Sequence, residues 1–277
     1  MQMVTAHGAS MPVIGFGTFR ASGEDCARAV AEALKVGYRA VDTAAAYQNE
    51  DKVAEGMRAS GVKREDIFLT TKVAPEEAEE SAFKASVERS LRLLGVDQVD
   101  LLLIHWPSKT IPMADTIAAL NACKKAGWTR HIGVSNFTVK QLGEAWAATQ
   151  APLVTNQCEY HPYLNQDALV AACRDHGMIF TAYSPIGRGA VLKDPVVERI
   201  AKMKGVTPAQ VVLRWDIQQE NVVTIPKSVN RERIRSNFDI FTFTLSGSEM
   251  AEITALSRSH KLRVANPSSV APDWDTK

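Results

Sequence analysis

Four side chains at separated places in the sequence form a set that could act on a carbonyl group: the carboxylate of Asp42, the phenol of Tyr47, the ammonium of Lys72 and the imidazole of His105. A phenol can give its proton to a forming alkoxide if that proton is made easier to lose. A neighbouring ammonium does this by favouring the phenolate, and a carboxylate holds the ammonium in place and offsets its burial. An imidazole can orient or polarise the carbonyl oxygen. No side chain supplies a hydride, so reduction by such a set needs a cofactor. Taken singly, each residue is better read as structural, with Asp42 and Lys72 as a buried supporting pair and Tyr47 and His105 as amphipathic core residues. Four compatible groups at successive strand ends favour the chemical reading.

The elements that must position them follow from periodicity. Short β-branched runs over residues 12–15, 40–42, 67–72, 99–105, 131–135, 154–159, 179–184 and 222–226 predict strands. Amphipathic patterns over 25–36, 49–60, 77–94, 114–126, 139–148, 167–176, 208–218 and 231–238 predict helices. Thr207-Pro208 reads as a cap with proline in the first turn, and Asn230 as the cap of the last of these helices. Such alternation predicts parallel βα units, either as an open doubly wound sheet or as a closed barrel. After the first strand, Gly15-Phe16-Gly17-Thr18-Phe19-Arg20 lacks the third glycine of a dinucleotide-binding turn. Polar residues end most strands, and only a barrel brings all those ends to one face. The expected fold is therefore α/β, a (β/α)8 barrel over 1–277 as one domain. Two extra helices, 195–204 and 248–257, should pack outside it, and the aperiodic segment 258–277 is expected as a loop over the barrel mouth.

Composition removes other classes. The 277 residues carry 32 basic and 31 acidic side chains without a basic block, so neither nucleic acid nor an anionic membrane is indicated as a partner. No apolar run is long enough to span a bilayer, and the first residues lack the pattern of a secretory signal. Cys26, Cys123, Cys158 and Cys173 have neither metal-ligand nor disulfide-framework spacing, which predicts buried reduced thiols and a cytoplasmic setting. His7, His131, His176 and His260 show no metal spacing, and His161 reads as a loop-packing residue. Trp128, Trp146 and Trp215 read as packing residues.

Three longer motifs carry a more specific signal. Gly37-Tyr38-Arg39-Ala40-Val41-Asp42-Thr43-Ala44 with Tyr47 and Glu50, then Leu120 through Arg130 to Ile132-Gly133-Val134-Ser135-Asn136-Phe137, then Ile225-Pro226-Lys227-Ser228 with Arg233, Ser236 and Asn237, resemble the three signatures of the aldo-keto reductase family. The resemblance runs from about Met11 to about Leu256. It implies the barrel with two extra helices, a small carbonyl substrate, NADPH as cofactor and a monomer. It also implies Tyr47 as general acid, Lys72 and Asp42 as its tuning pair, and His105 as the group that orients the carbonyl.

By the same resemblance, Ser135, Asn136 and Gln157 hold the nicotinamide carboxamide, Tyr183 stacks on its ring, and Ser184, Pro185, Ile186, Gly187 and Arg188 cross the pyrophosphate. Gly17, Thr18 and Asp42 complete that side. Lys227, Ser228, Val229, Arg233 and Asn237 match the adenosine 2′-phosphate and adenine site, where an arginine can hold phosphate oxygens in two parallel bonds beside a helix N-terminus. The bland alternative is a solvated basic face carrying Arg231, Arg233 and Arg235. Phe19, Tyr47, His105 and Trp106 match substrate-pocket positions.

Two departures bear on substrate. Ala74 stands where many relatives have tryptophan, and the loop 106–112 is short. With the ending Ala271-Pro272-Asp273-Trp274-Asp275, these features resemble the bacterial diketogluconate and methylglyoxal reductase branch. Two competing readings are a non-catalytic NADPH-binding subunit of the same fold and a lyase using Lys72 in a Schiff base. The intact four-residue set argues against the first, and the cofactor motifs argue against the second.

Overall fold

Residues 99–104 read Val-Asp-Leu-Leu-Leu-Ile and all six are buried, as expected of a parallel strand covered on both faces. The same logic repeats through the chain. The computed structural model describes residues 1–275; the last two positions of the 1–277 span lie outside the described residues. An N-terminal hairpin, β1 (Met3–Ala6) and β2 (Ala9–Pro12), precedes the barrel. Its strands and helices then alternate: β3 (Phe16–Gly17), α1 (Gly23–Val36), β4 (Ala40–Asp42), α2 (Glu50–Ser60), β5 (Phe68–Val73), α3 (Glu80–Leu94), β6 (Val99–Ile104) and α4 (Met113–Lys125). The second half continues with β7 (Thr129–Ser135), α5 (Val139–Ala148), β8 (Leu153–Glu159), α6 (Asp167–Asp175), β9 (Ile179–Tyr183), α8 (Pro208–Ile217), β10 (Val222–Thr224) and α9 (Arg231–Phe238). The two extra helices are α7 (Pro195–Lys204), ahead of α8, and α10 (Gly247–Ser259).

The eight strands β3 to β10 pair in sequence order, all parallel. The ends of this sheet meet. Ile14 bridges Thr224 in parallel, Gly15 N donates to Thr224 O at 2.9 Å, Thr224 N to Val13 O at 3.0 Å, and Gly17 N to Pro226 O at 3.1 Å. Closure brings every strand's C-terminal end, with the polar residues there, to one rim.

Two features of the N-terminal region differ from expectation. The first barrel strand is β3, beyond the predicted 12–15, and Pro12 belongs to the hairpin. The hairpin itself was not expected. Its turn places His7 (φ 47°) and Gly8 (φ 84°) in the left-handed region, as a two-residue turn with matching twist requires. Its residues Ala6, Ala9 and Met11 pack on the barrel-interior side chains Leu101, Leu103, Val154, Ile179 and Val223, which seals the end opposite the rim.

At the rim end the segment after α10 folds back over the mouth. Leu262 N donates to Tyr163 O at 3.0 Å, Tyr163 stacks on His260 with ring centres 3.9 Å apart, and Val139 N donates to Asp275 Oδ2 at 2.8 Å. All four cysteines are buried free thiols. Among the described residues, no helix is long and apolar enough to cross a membrane.

One helix contact is tight enough to predict its failure. A Cβ on Gly56 of α2 would lie 2.5 Å from Ala27 O and 2.7 Å from Val30 Cβ of α1. Ala27 O is backbone and cannot step aside. Gly56→Ala should therefore lose stability by about 1–3 kcal/mol despite the better helix propensity of alanine; the shift of the denaturant midpoint at constant slope measures it.

Candidate active site

Lys72 is fully buried at the end of β5, 0% exposed. An ammonium there needs partners for all its protons. Its Nζ donates to Asp42 Oδ1 at 2.5 Å, to Thr43 O at 2.9 Å and to Tyr47 Oη at 3.3 Å. Asp42 ends β4 and accepts a second bond on its other oxygen, from Gln157 Nε2 at 2.7 Å. One carboxylate thus ties β4, β5 and β8 together at the rim.

Tyr47 is presented by a short 3-10 turn, Ala45–Tyr47, which ends at Gln48 in the left-handed region. Buried Asn49 anchors the chain just past this turn. Its Nδ2 donates to Thr18 O and Ala21 O, both at 2.9 Å, and its Oδ1 accepts from Thr43 Oγ1 at 2.9 Å. Buried Glu50 accepts from Thr71 Oγ1 at 2.6 Å. Because the ammonium has only protons to give, the Tyr47 oxygen must accept from it. Its own O–H is left to point into the open space of the rim.

Electrostatics keep the groups in complementary states. Burial would lower the Lys72 pKa, but Asp42 and Tyr47 outweigh it and hold it above its ordinary value, so the ammonium stays charged. Burial raises the Tyr47 pKa, opposed by Lys72 and reinforced by Asp42, so the phenol keeps its proton at neutral pH. Burial, aided by Lys72, pushes His105 down to about 3. Its ring is therefore neutral and lies edge-on to Tyr47, centroids 5.5 Å apart.

These groups line a cavity of about 660 Å³ at the barrel mouth. It is walled by Gly17, Thr18, Phe19, Asp42, Tyr47, His105, Trp106, Ser135, Asn136, Gln157, Tyr183, Ser184, Pro185, Ile186, Arg188 and Lys227, all expected from the sequence. Lys72 stands behind Tyr47 rather than on the wall. Asn136 Nδ2 donates to His105 O at 3.0 Å and its Oδ1 accepts from Tyr183 Oη at 2.8 Å, which sets the Tyr183 ring edge while leaving the ring half-buried on the cavity. Asn136, Ser184 and Arg188 are non-glycine residues held at φ 63°, 50° and 53°. Strained backbone on the wall of a cavity points to a functional surface.

Other expected residues lie off this cavity. Gly187 faces Val191 and the His161 ring. Ser228, Val229, Arg233 and Asn237 continue beyond Lys227, on the exposed approach to α9 and along it, with Asn237 turned into the protein. The three arginines of α9 are not equivalent. Arg231 and Arg235 both pair with Glu32 of α1, at 3.1 and 2.8 Å, whereas the Arg233 guanidinium has no ion pair among the described residues. A guanidinium without an ion pair in the first turn of the helix that follows Lys227 and Ser228 suits a phosphate, so the residues present fit a nicotinamide dinucleotide cofactor.

Sequence reasoning missed part of the wall. Arg20, Ala46, Ile225 and Pro226 also line it, as do Val264, Ala265, Asn266 and Pro267 of the segment folded over the mouth. Ala74, by contrast, does not reach the cavity.

The sequence profile described as the Aldo/keto reductase family matches residues 13–258. An aldo-keto reductase of Mycolicibacterium smegmatis is 45% identical over 256 residues, covering 92% of this chain and 93% of that protein. The glyoxal reductase of Bacillus subtilis is 42% identical over 257 residues, covering 92% of each. A crystal structure assigned as a 2,5-diketo-D-gluconic acid reductase B superposes with a TM-score of 0.97 at 46% identity, covering 99% of this chain and 98% of that one.

The depressed His105 pKa has a definite consequence. A group that titrates near 3 stays neutral throughout the range above it, so lowering the pH from 8 to 5 should not charge this ring. The pH profile of turnover should show no inflexion near the ordinary histidine value of about 6.5. An inflexion there that disappears in His105→Gln would contradict the assignment.

Proposed function

The chain belongs to the aldo/keto reductase family, and from that premise we propose that it reduces small polar aldehydes, ketones and dicarbonyls with NADPH, using Tyr47 as the general acid. The observation that carries this reading is the Asp42–Lys72–Tyr47 chain of contacts, with the phenol's proton left facing a cavity that His105 and Trp106 also line. When bound, the nicotinamide cofactor supplies the two electrons and the hydrogen that reduce the carbonyl carbon. The protein's own residues manage the oxygen. The neutral His105 imidazole donates one hydrogen bond to the carbonyl oxygen and fixes its direction. As negative charge grows on that oxygen, Tyr47 gives up its proton, and the ammonium 3.3 Å behind it stabilises the phenolate left behind. Asp42 keeps Lys72 aimed, and Gln157 keeps Asp42 aimed.

Arg233, Lys227 and Ser228 would take the 2′-phosphate, while Ser135, Asn136 and the Tyr183 ring would hold the nicotinamide end. The glyoxal reductase relative, the diketogluconate reductase structure and the short 106–112 loop support a small polar substrate.

Two experiments test this reading. Loss of NADPH absorbance is followed with methylglyoxal, 2,5-diketogluconate, glyceraldehyde and an aromatic aldehyde. Tyr47→Phe should lower turnover by about 10²–10⁴-fold while NADPH still binds; near-normal turnover would remove Tyr47 from the role. Arg233→Met should weaken NADPH binding by about 10–100-fold, the worth of a charge-assisted contact, and leave NADH binding where it was. Equal efficiency with both cofactors in the unaltered protein would overturn the preference for NADPH.

A further inference from the structure

Glu159 ends β8, two residues after Gln157, and is fully buried at 0% exposure. A carboxylate so placed needs donors on both oxygens. Oε1 accepts from His161 Nε2 at 2.9 Å and from Val264 N at 2.6 Å, and Oε2 accepts from Ala265 N at 2.7 Å. The His161 tautomer follows from its other nitrogen: Nδ1 accepts from Tyr163 N at 3.3 Å, so the ring proton sits on Nε2 and points at Glu159. Val264 and Ala265 belong to the segment that walls the cavity, together with Asn266 and Pro267.

A second observation converges on the same carboxylate. Arg263, beside Val264, places its guanidinium 3.8 Å over the Trp274 ring, with both terminal nitrogens buried and, among the described residues, without a hydrogen-bond partner. Burial disfavours this charge, and Glu159 is the foremost of the groups that favour it, acting through space rather than as an ion pair. Trp274 in turn meets Trp106 of the cavity wall edge-on, ring centres 6.0 Å apart. Two backbone donors thus hold the segment to Glu159 of the barrel, and the Arg263–Trp274–Trp106 stack holds its neighbouring residues to the cavity wall.

We propose that Glu159 is a positioning residue that pins segment 264–267 across the barrel mouth and so sets the substrate-side wall of the cavity. The catalytic consequence rests on the carbonyl-reductase reading; the pin itself does not. Glu159→Gln keeps the shape but replaces one acceptor by an N–H group and removes the charge that compensates Arg263. Ala265→Pro deletes the donor from the other side and leaves the barrel's own residues intact, so it carries the test if the buried substitution folds poorly.

Each variant should speed tryptic cleavage after Lys261 and Arg263 by about tenfold or more, since cleavage reports the opening of the segment. With a substrate of the panel, KM should rise by about tenfold or more while kcat falls by less than about threefold, as expected when a wall moves and the proton donor does not. The double variant should fall short of the sum of the two single effects in free energy, because the Ala265–Glu159 bond is shared by both. Unchanged cleavage in both variants, or additive effects in the double, would overturn the proposal. If the unaltered protein reduces no carbonyl of the panel, the reductase reading fails, and the cleavage rates still decide the pin.

Discussion

A charged lysine with no exposure is the constraint around which the rim is organised. The Lys72 ammonium cannot sit at the end of β5 unless every proton finds an oxygen, and Asp42, the Thr43 carbonyl and Tyr47 supply three. Removing one partner from such a pair leaves a buried charge uncompensated, at a cost of about 3–5 kcal/mol. The geometry of neighbouring strand ends is therefore coupled. Asp42 must also satisfy Gln157, and the turn that presents Tyr47 is held by Asn49 and Glu50. Barrel closure through Val13, Gly15 and Gly17 against β10 completes the ring on which these groups depend.

The same constraint accounts for the protonation states. One cation beside a phenol and an imidazole opposes both the raised pKa that burial gives Tyr47 and the charging of His105. The outcome is a neutral phenol, a neutral imidazole and a fixed positive charge behind them, the states that the proposed roles of Tyr47 and His105 require.

Much of this was legible in the chain because the informative residues stand at or near strand ends, where a buried β-branched and apolar run gives way to polar residues. Asp42, Lys72, Ser135, Gln157 and Tyr183 all lie at such ends, and the helices α5, α7 and α9 have the expected bounds. The N-terminal hairpin escaped because His7-Gly8 is a weaker turn signal than Asn-Gly or Asp-Gly. The apolar run 12–15 then looked like the first barrel strand; Pro12 in fact ends the hairpin, while Val13, Ile14 and Gly15 pair with β10 just ahead of β3. The inequality of the α9 arginines was within reach. Residues 231 and 235 are one turn apart and share a face, whereas 233 points elsewhere. The role of segment 264–267 was not readable, since it depends on Glu159, more than a hundred positions earlier, and the segment has no period of its own.

In the proposed mechanism the buried Lys72–Asp42 pair makes the Tyr47 phenol a competent proton donor. The most direct test replaces both charges together, Asp42→Asn with Lys72→Met, so that neither is left unpaired, and titrates Tyr47 by the difference in phenolate absorbance against the matching Tyr47→Phe protein. Tyr47 should ionise at a higher pH once the pair is gone, and turnover should fall with it. An unchanged Tyr47 titration with turnover retained would contradict it.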